Sequence, residues 1–292
     1  MDRSGTDKWC AKGANLDRVT KSVIAVFLAT VAVVAASDRL RTRSVAEVMR
    51  AGDPHVRQRL FDLLRPVSLA NCELERFGET HDGGYLMCAN LLSEVQGAYS
   101  YGISGYDKWG CDTATKAGVR LHQYDCFDTR QPACPSADTV FHAECVAGVT
   151  KTEDGRPFDT MMNHLRRNGD SGKRLAMKMD VEGAEWESLL DAPDAVLESI
   201  DQLAIEFHFV HEERFVPVVE RLKRFFHVAH LHFNNVSCLD GIEPFPTWAY
   251  EVLFVSKRIG EVDAERRVTL PHPLDALNNP RLPDCTAATS RP

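Results

Sequence analysis

The chain has 292 residues, of which 44% are hydrophobic, 26% charged and 8% aromatic. Those fractions exclude a wholly disordered or collagen-like chain and fit one large domain with appendages. With 34 Lys and Arg against 42 Asp and Glu the formal charge is −8, the wrong sign for gripping phosphate backbones, so no nucleic-acid partner is expected. The charge is also uneven. Residues 1–37 carry five basic and three acidic side chains, which leaves 29 and 39 for the rest, a net −10.

After a polar tail (1–22), residues 23–36 read VIAVFLATVAVVAA, without charge, Pro or Gly, and Ser22 and Ser37 extend the run to 16 residues. That lies between the about 7–15 residues of a signal-peptide core and the about 17–25 of a membrane span. The segment 23–37 thus reads as a membrane anchor, as a signal cleaved near Ala35-Ala36-Ser37, or as a buried helix. The long n-region favours the anchor, and hence a membrane partner through 23–37. Basic residues flank both sides (Lys8, Lys12, Arg18 and Lys21 against Arg39, Arg41, Arg43 and Arg50), so charge does not orient it. Cys10 precedes the run, while Cys72, Cys88, Cys111, Cys126, Cys134, Cys145, Cys238 and Cys285 follow it. Eight is an even number, as an oxidising compartment allows, with connectivity open and free thiols the alternative. The expected location is lumenal (Golgi or ER) or extracellular, or secreted if the signal is cleaved. No Cys/His spacing matches a zinc site, and no metal ligand set is assigned.

Residues 38–70 form a helical connector with Val45, Val48, Met49, Val56, Leu60, Leu63 and Leu64 at helical spacing, split by Gly52 and Pro54. A domain over 71–270 follows. Strands are predicted at 98–103, 121–126, 140–146, 175–181, 202–209, 227–233 and 250–255, with helices at 159–167, 185–190 and 212–226. Such alternation predicts an α/β fold with a mainly parallel sheet covered on both faces. The short spacing of the last two strands suits an antiparallel strand at one edge. The Pro-rich tail, 271–292, lacks periodicity and reads as extended or partly disordered.

In such sheets ligands bind where strands end, so the exits carry the chemistry. The first reads Gly102-Ile103-Ser104-Gly105, small residues that let a ligand approach the backbone. The second offers Asp125, with Asp128 beyond it, placed to accept hydrogen bonds from ribose hydroxyls. The third is Lys178-Met179-Asp180-Val181-Glu182-Gly183-Ala184-Glu185-Trp186, two carboxylates delivered just before a sharp turn. At the fourth, alternation puts Glu206 and His208 on one side, and a histidine near neutral pKa beside carboxylates can act as a general base. His230 and His232 share a face and read as structural.

The segments DGGY (82–85), YSYGISG (99–105), HQYDC (122–126), LAMKMDVEGAEW (175–186), LAIEFHF (203–209) and YEVLFVSK (250–257) occur in the order seen in FkbM-like methyltransferases. The chain most resembles the eukaryotic, membrane-anchored methyltransferase-like proteins of that group. The resemblance spans about residues 70–285, and KMDVEGAEW is its most specific part.

That resemblance implies a class I S-adenosylmethionine-dependent methyltransferase fold, Rossmann-like, with seven strands. Carried onto this sequence, Gly102, Ser104 and Gly105 would lie under the methionine end of S-adenosyl-L-methionine and Asp125 would hold its ribose. Asp180 and Glu182 would line the transfer pocket, with Glu206 and His208 on the acceptor side. The implied activity is O-methylation of a hydroxyl on a glycan or small molecule, His208 serving as base with Asp180 or Glu206 orienting it. The alternatives are a membrane-anchored nucleotide-sugar glycosyltransferase, for which a clear DxD motif is lacking, and a non-catalytic binding module that keeps the fold.

Overall fold

The structure is a computed structural model that describes residues 43–285. The segment 23–37 and the tail 1–22 lie outside the described residues. Among those described, no helix is long and apolar enough to cross a membrane.

The connector forms two helices divided at the predicted place. Helix α1 (Val45–Ala51) opens with a capping box, in which Ser44 and Glu47 each accept the other's backbone N–H. Helix α2 (Pro54–Leu63) has Asp53 as its cap and Pro54 in its first turn, where a missing N–H costs nothing. Met49, Leu60 and Leu64 enter the main core, so the connector is part of the domain.

Next comes an antiparallel hairpin, β1 (Leu74–Gly78) and β2 (Gly84–Cys88). Strand β3 (Gly97–Tyr101), helix α3 (Lys108–Ala117), β4 (Leu121–Tyr124) and β5 (Thr139–His142) begin the main sheet. The predicted strand 140–146 breaks after His142. Its last residues become β6 (Cys145–Val146) of a separate small sheet with β7 (Lys151–Glu153) and β8 (Arg156–Asp159). Helix α4 (Met161–Asn168), β9 (Leu175–Met179), helices α5 (Glu185–Asp191) and α6 (Asp194–Ser199), β10 (Ile200–His208), α7 (Phe215–Phe225), β11 (Phe226–Phe233) and β12 (Ala249–Ser256) complete the chain of elements.

The seven-stranded sheet has the order β11-β12-β10-β9-β3-β4-β5. Neighbours from β10 to β5 are parallel, while β12 runs antiparallel to both β10 and β11. This is the class I methyltransferase fold. The antiparallel strand sits one place in from the edge, and β11 is the edge strand. The chain crosses over between strands, so hairpin-like proximity in sequence did not fix its place. From β3 the chain winds outward to β4 and β5, then returns to lay β9 on the other side. The boundary between β3 and β9 is therefore the topological switch point, where such sheets bind ligands.

All eight cysteines that follow residue 43 are paired: Cys72–Cys88, Cys111–Cys134, Cys126–Cys145 and Cys238–Cys285. The last ties the C-terminal segment to the β11–β12 loop. Residues 271–285 are irregular, as their composition predicts, yet they belong to the domain, so its end shifts from 270 to at least 285. Asp275 contacts His230 at 2.8 Å and His232 at 3.6 Å, and Asn279 and Asn235 exchange hydrogen bonds.

Candidate functional site

The exit of β3 is a tight turn in which Gly102, Ser104 and Gly105 all have positive φ, at 73°, 47° and 75°. A Cβ on Gly102 would stand 1.7 Å from the Asp180 carbonyl oxygen, so only glycine lets the β3 and β9 exits meet. Lys178 Nζ donates to the Gly102 carbonyl at 2.6 Å and clamps the two exits together. Beneath the turn the buried Asp107 accepts from Ser100, Gln123 and Gly110.

Asp125 has a different part from the one the resemblance assigns it. Its Oδ2 accepts the N–H groups of Ile103 (3.0 Å) and Ser104 (2.8 Å), and its Oδ1 accepts those of Phe127 (2.8 Å) and Asp128 (3.0 Å). A carboxylate offers about four lone-pair sites. These four bonds fill them, so Asp125 shapes the turn and has no acceptor left for ribose hydroxyls. Asp128, half-buried at the same exit, accepts from the backbone N–H and the exposed guanidinium of Arg130, and both side chains stand against Gly105.

Asp180 leaves β9 half-buried. Its Oδ2 accepts from the buried Tyr85 hydroxyl at 3.2 Å and pairs with Lys178 at 3.3 Å. Burial, then the charge of Asp180, keeps the Tyr85 hydroxyl well above its ordinary range. Glu182 follows with φ 55° and an exposed side chain. Gly183, at φ 104°, completes the turn, and a Cβ there would strike the Phe209 ring at 2.8 Å.

His208 comes from the end of β10 and is buried. Its Nδ1 faces Glu185 Oε1 at 3.3 Å and its Nε2 faces Glu182 Oε2 at 3.5 Å. Burial opposes a charge on the ring, but Glu185, by charge and hydrogen bond, and then Glu206 and Glu182 overcome it and hold the pKa well above the usual value. The neighbouring carboxylates thus favour the charged form of the ring, the form that has no free nitrogen to take up a proton. The residue that orients it is Glu185, with Oε1 also on the His208 N–H (2.7 Å) and Oε2 on the Gly183 N–H (2.8 Å). Asp180 and Glu206, the expected orienting residues, are not in hydrogen-bond contact with it among the described residues.

Asp180, Glu182 and His208 are brought together, each offering one ligand atom within 4.8 Å of the others. Glu206 is deeper. It stands opposite Glu251 of β12, which in turn stands opposite His232 of β11. Burial, followed by the charge of Asp180, raises the Glu206 pKa strongly, and Asn234 donates to it at 2.7 Å. Asn278 from the C-terminal segment donates to Glu251 at 2.7 Å. The sequence did not identify Glu185, Tyr85 or Glu251 as site residues. All three lie in segments that carried the resemblance, but the facing of Glu251 onto Glu206 depends on strand register.

No family model and no curated protein matches the chain. Among solved structures, the Methanococcus jannaschii fibrillarin pre-rRNA processing protein is similar with a TM-score of 0.32 and 11% identity, over 64% of this chain and 84% of that one. The fold is read from strand order and direction.

Proposed function

We propose that the chain is an S-adenosylmethionine-dependent methyltransferase of FkbM-like type, acting on a hydroxyl of a glycan or small molecule. The observation that carries this reading is the abutment of the glycine turn and the Asp180–Glu182–His208 group at the sheet's switch point. The Gly102–Gly105 turn and Asp128 suit a donor, with Arg130 swung away from Gly105; Asp125 keeps the turn in shape. When bound, the donor supplies an electrophilic methyl group on a sulfonium.

The chain's own residues then align the acceptor and relieve it of its proton. Methyl transfer needs the reacting atoms about 3–3.5 Å apart and in line. Asp180, fixed by Tyr85 and Lys178, stands closest to the glycine turn and is the residue to orient or deprotonate a hydroxyl. Glu182 is the second acceptor of that proton. His208, anchored by Glu185, faces Glu182 and keeps it in position.

The paired state of eight cysteines supports a domain in an oxidising compartment, lumenal or extracellular, with 23–37 as anchor or signal. The acidic body disfavours a polyanionic acceptor. Calorimetry of S-adenosylhomocysteine against the full chain tests the reading: binding is expected, weakened in Asp128→Ala. Absence of binding at millimolar ligand would sink it, and manganese-dependent binding of a nucleotide sugar in its place would favour a glycosyltransferase.

A further inference from the structure

Metal–ligand bonds of about 2.0–2.2 Å put neighbouring ligand atoms about 3–4 Å apart. Two carboxylates and an imidazole at the switch point come close to that spacing, their ligand atoms lying within 4.8 Å of one another. The surroundings of the histidine are an independent observation. His208 is only 4% exposed, and its Nδ1 faces the fully buried Glu185. A carboxylate behind a histidine is the arrangement that fixes the tautomer and ring orientation of metal-bound imidazoles. Two backbone N–H groups hold Glu185 itself in place. Nε2 points the other way, toward Glu182, and makes no hydrogen bond among the described residues. Asp180 is gripped through Oδ2 by Tyr85 and Lys178, which leaves Oδ1 for a ligand.

We propose that Asp180 Oδ1, a Glu182 carboxylate oxygen and His208 Nε2 hold a divalent cation of the Mn²⁺ class, with open positions for acceptor oxygens. Two carboxylates and one imidazole suit Mn²⁺ better than a thiolate-preferring ion. An imidazole binds a metal in its neutral form, so the ion would compete with a proton at Nε2.

A second group of the same composition, Glu144, Asp159 and His164, gives the contrast. There the Arg167 guanidinium donates to both carboxylates, so a protein cation already fills the position. At Asp180 the nearby Lys178 engages one oxygen and leaves the other.

The role of the ion rests on the methyltransferase reading: it would seat a hydroxyl, or the adjacent hydroxyls of a sugar ring, beside Asp180 and make the hydroxyl more acidic. Its binding does not depend on that reading. The test is titration of the full chain with Mn²⁺ and no methyl donor, reading free ion by its paramagnetic resonance signal. One ion per chain is expected, bound tenfold or more weakly in Glu182→Gln and in Asp180→Asn. Glu182 is exposed, so its variant keeps the fold, and circular dichroism checks this. No stoichiometric binding at millimolar Mn²⁺, or undiminished binding in both variants, would overturn the proposal. Mn²⁺ bound without S-adenosylhomocysteine binding upholds the site and defeats the methyltransferase reading; the converse defeats the site alone.

Discussion

Replacing Glu185 by glutamine is the sharpest probe of how the site is built. The two carboxylate oxygens divide their contacts: Oε1 takes the His208 N–H and faces the ring, while Oε2 takes the Gly183 N–H. Glutamine has one acceptor oxygen and an NH₂ group. Whichever way it turns, one backbone N–H therefore meets a second donor. A lost charge-assisted hydrogen bond is worth roughly 1.5–3 kcal/mol. Removing one partner of a buried ion pair costs about 3–5 kcal/mol. These figures overlap, because the same oxygens serve both, so the expected loss is about 3–5 kcal/mol in all. That is a large part of the 5–15 kcal/mol, roughly, that holds a typical domain folded. Urea unfolding of wild type and variant measures it. Proton NMR of the His208 ring should at the same time show its pKa falling, since Glu185 is the main group raising it. A loss under about 1 kcal/mol with an unchanged His208 titration would refute the reasoning.

Three further predictions concern the body. Thiol alkylation of the folded chain should label none of the eight cysteines after residue 43 before reduction, and labelling of all eight would reverse the assignment of compartment. Converting both Cys238 and Cys285 to serine opens a link across 47 residues, for which loop-closure entropy gives about 4 kcal/mol of lost stability in urea unfolding. Burial opposes charge on His232, but Asp275 and Glu251 push its pKa up to about 9, and His230 and His232 hold Asp275 well below the carboxylate range. The stabilisation from His232 is thus complete below its ordinary 6.5 and lost as pH rises through about 9. That from Asp275 is complete above its ordinary 3.8 and lost on acidification. The stability difference between wild type and Asp275→Asn should accordingly shrink from pH 6.5 to above 9, and a difference constant over that range would contradict the pairing.

The parts of the fold that were legible are those written in local pattern. The short apolar runs ending at Tyr101, Tyr124, Met179 and His208 announced strands, and their exits gave the glycine turn and the Asp180, Glu182 and His208 group. The hairpin β1–β2 went unread because Glu75 and Arg76 interrupt a short strand. Helix α3 was hidden by Gly110 and by polar Asp112, Thr113 and Thr115, residues that only its packing explains, since Thr113 is fully buried. The place of β12 required knowing which distant strands pair, and with it the facing of Glu206 and Glu251. Asp125 illustrates a different limit. Its place at the exit of β4 is legible in the sequence, but the number of backbone N–H groups that converge on it is a property of two turns meeting. His208 at the end of β10 is likewise legible in the sequence, whereas the direction of its pKa shift is not, because Glu185, the first residue of α5, is the main group raising it.

The central claim is that the switch point between β3 and β9 binds a methyl donor. Calorimetry with S-adenosylhomocysteine on the full chain tests it most directly. The account predicts one molecule bound per chain and weaker binding in Asp128→Ala; no heat of binding at millimolar ligand would contradict it.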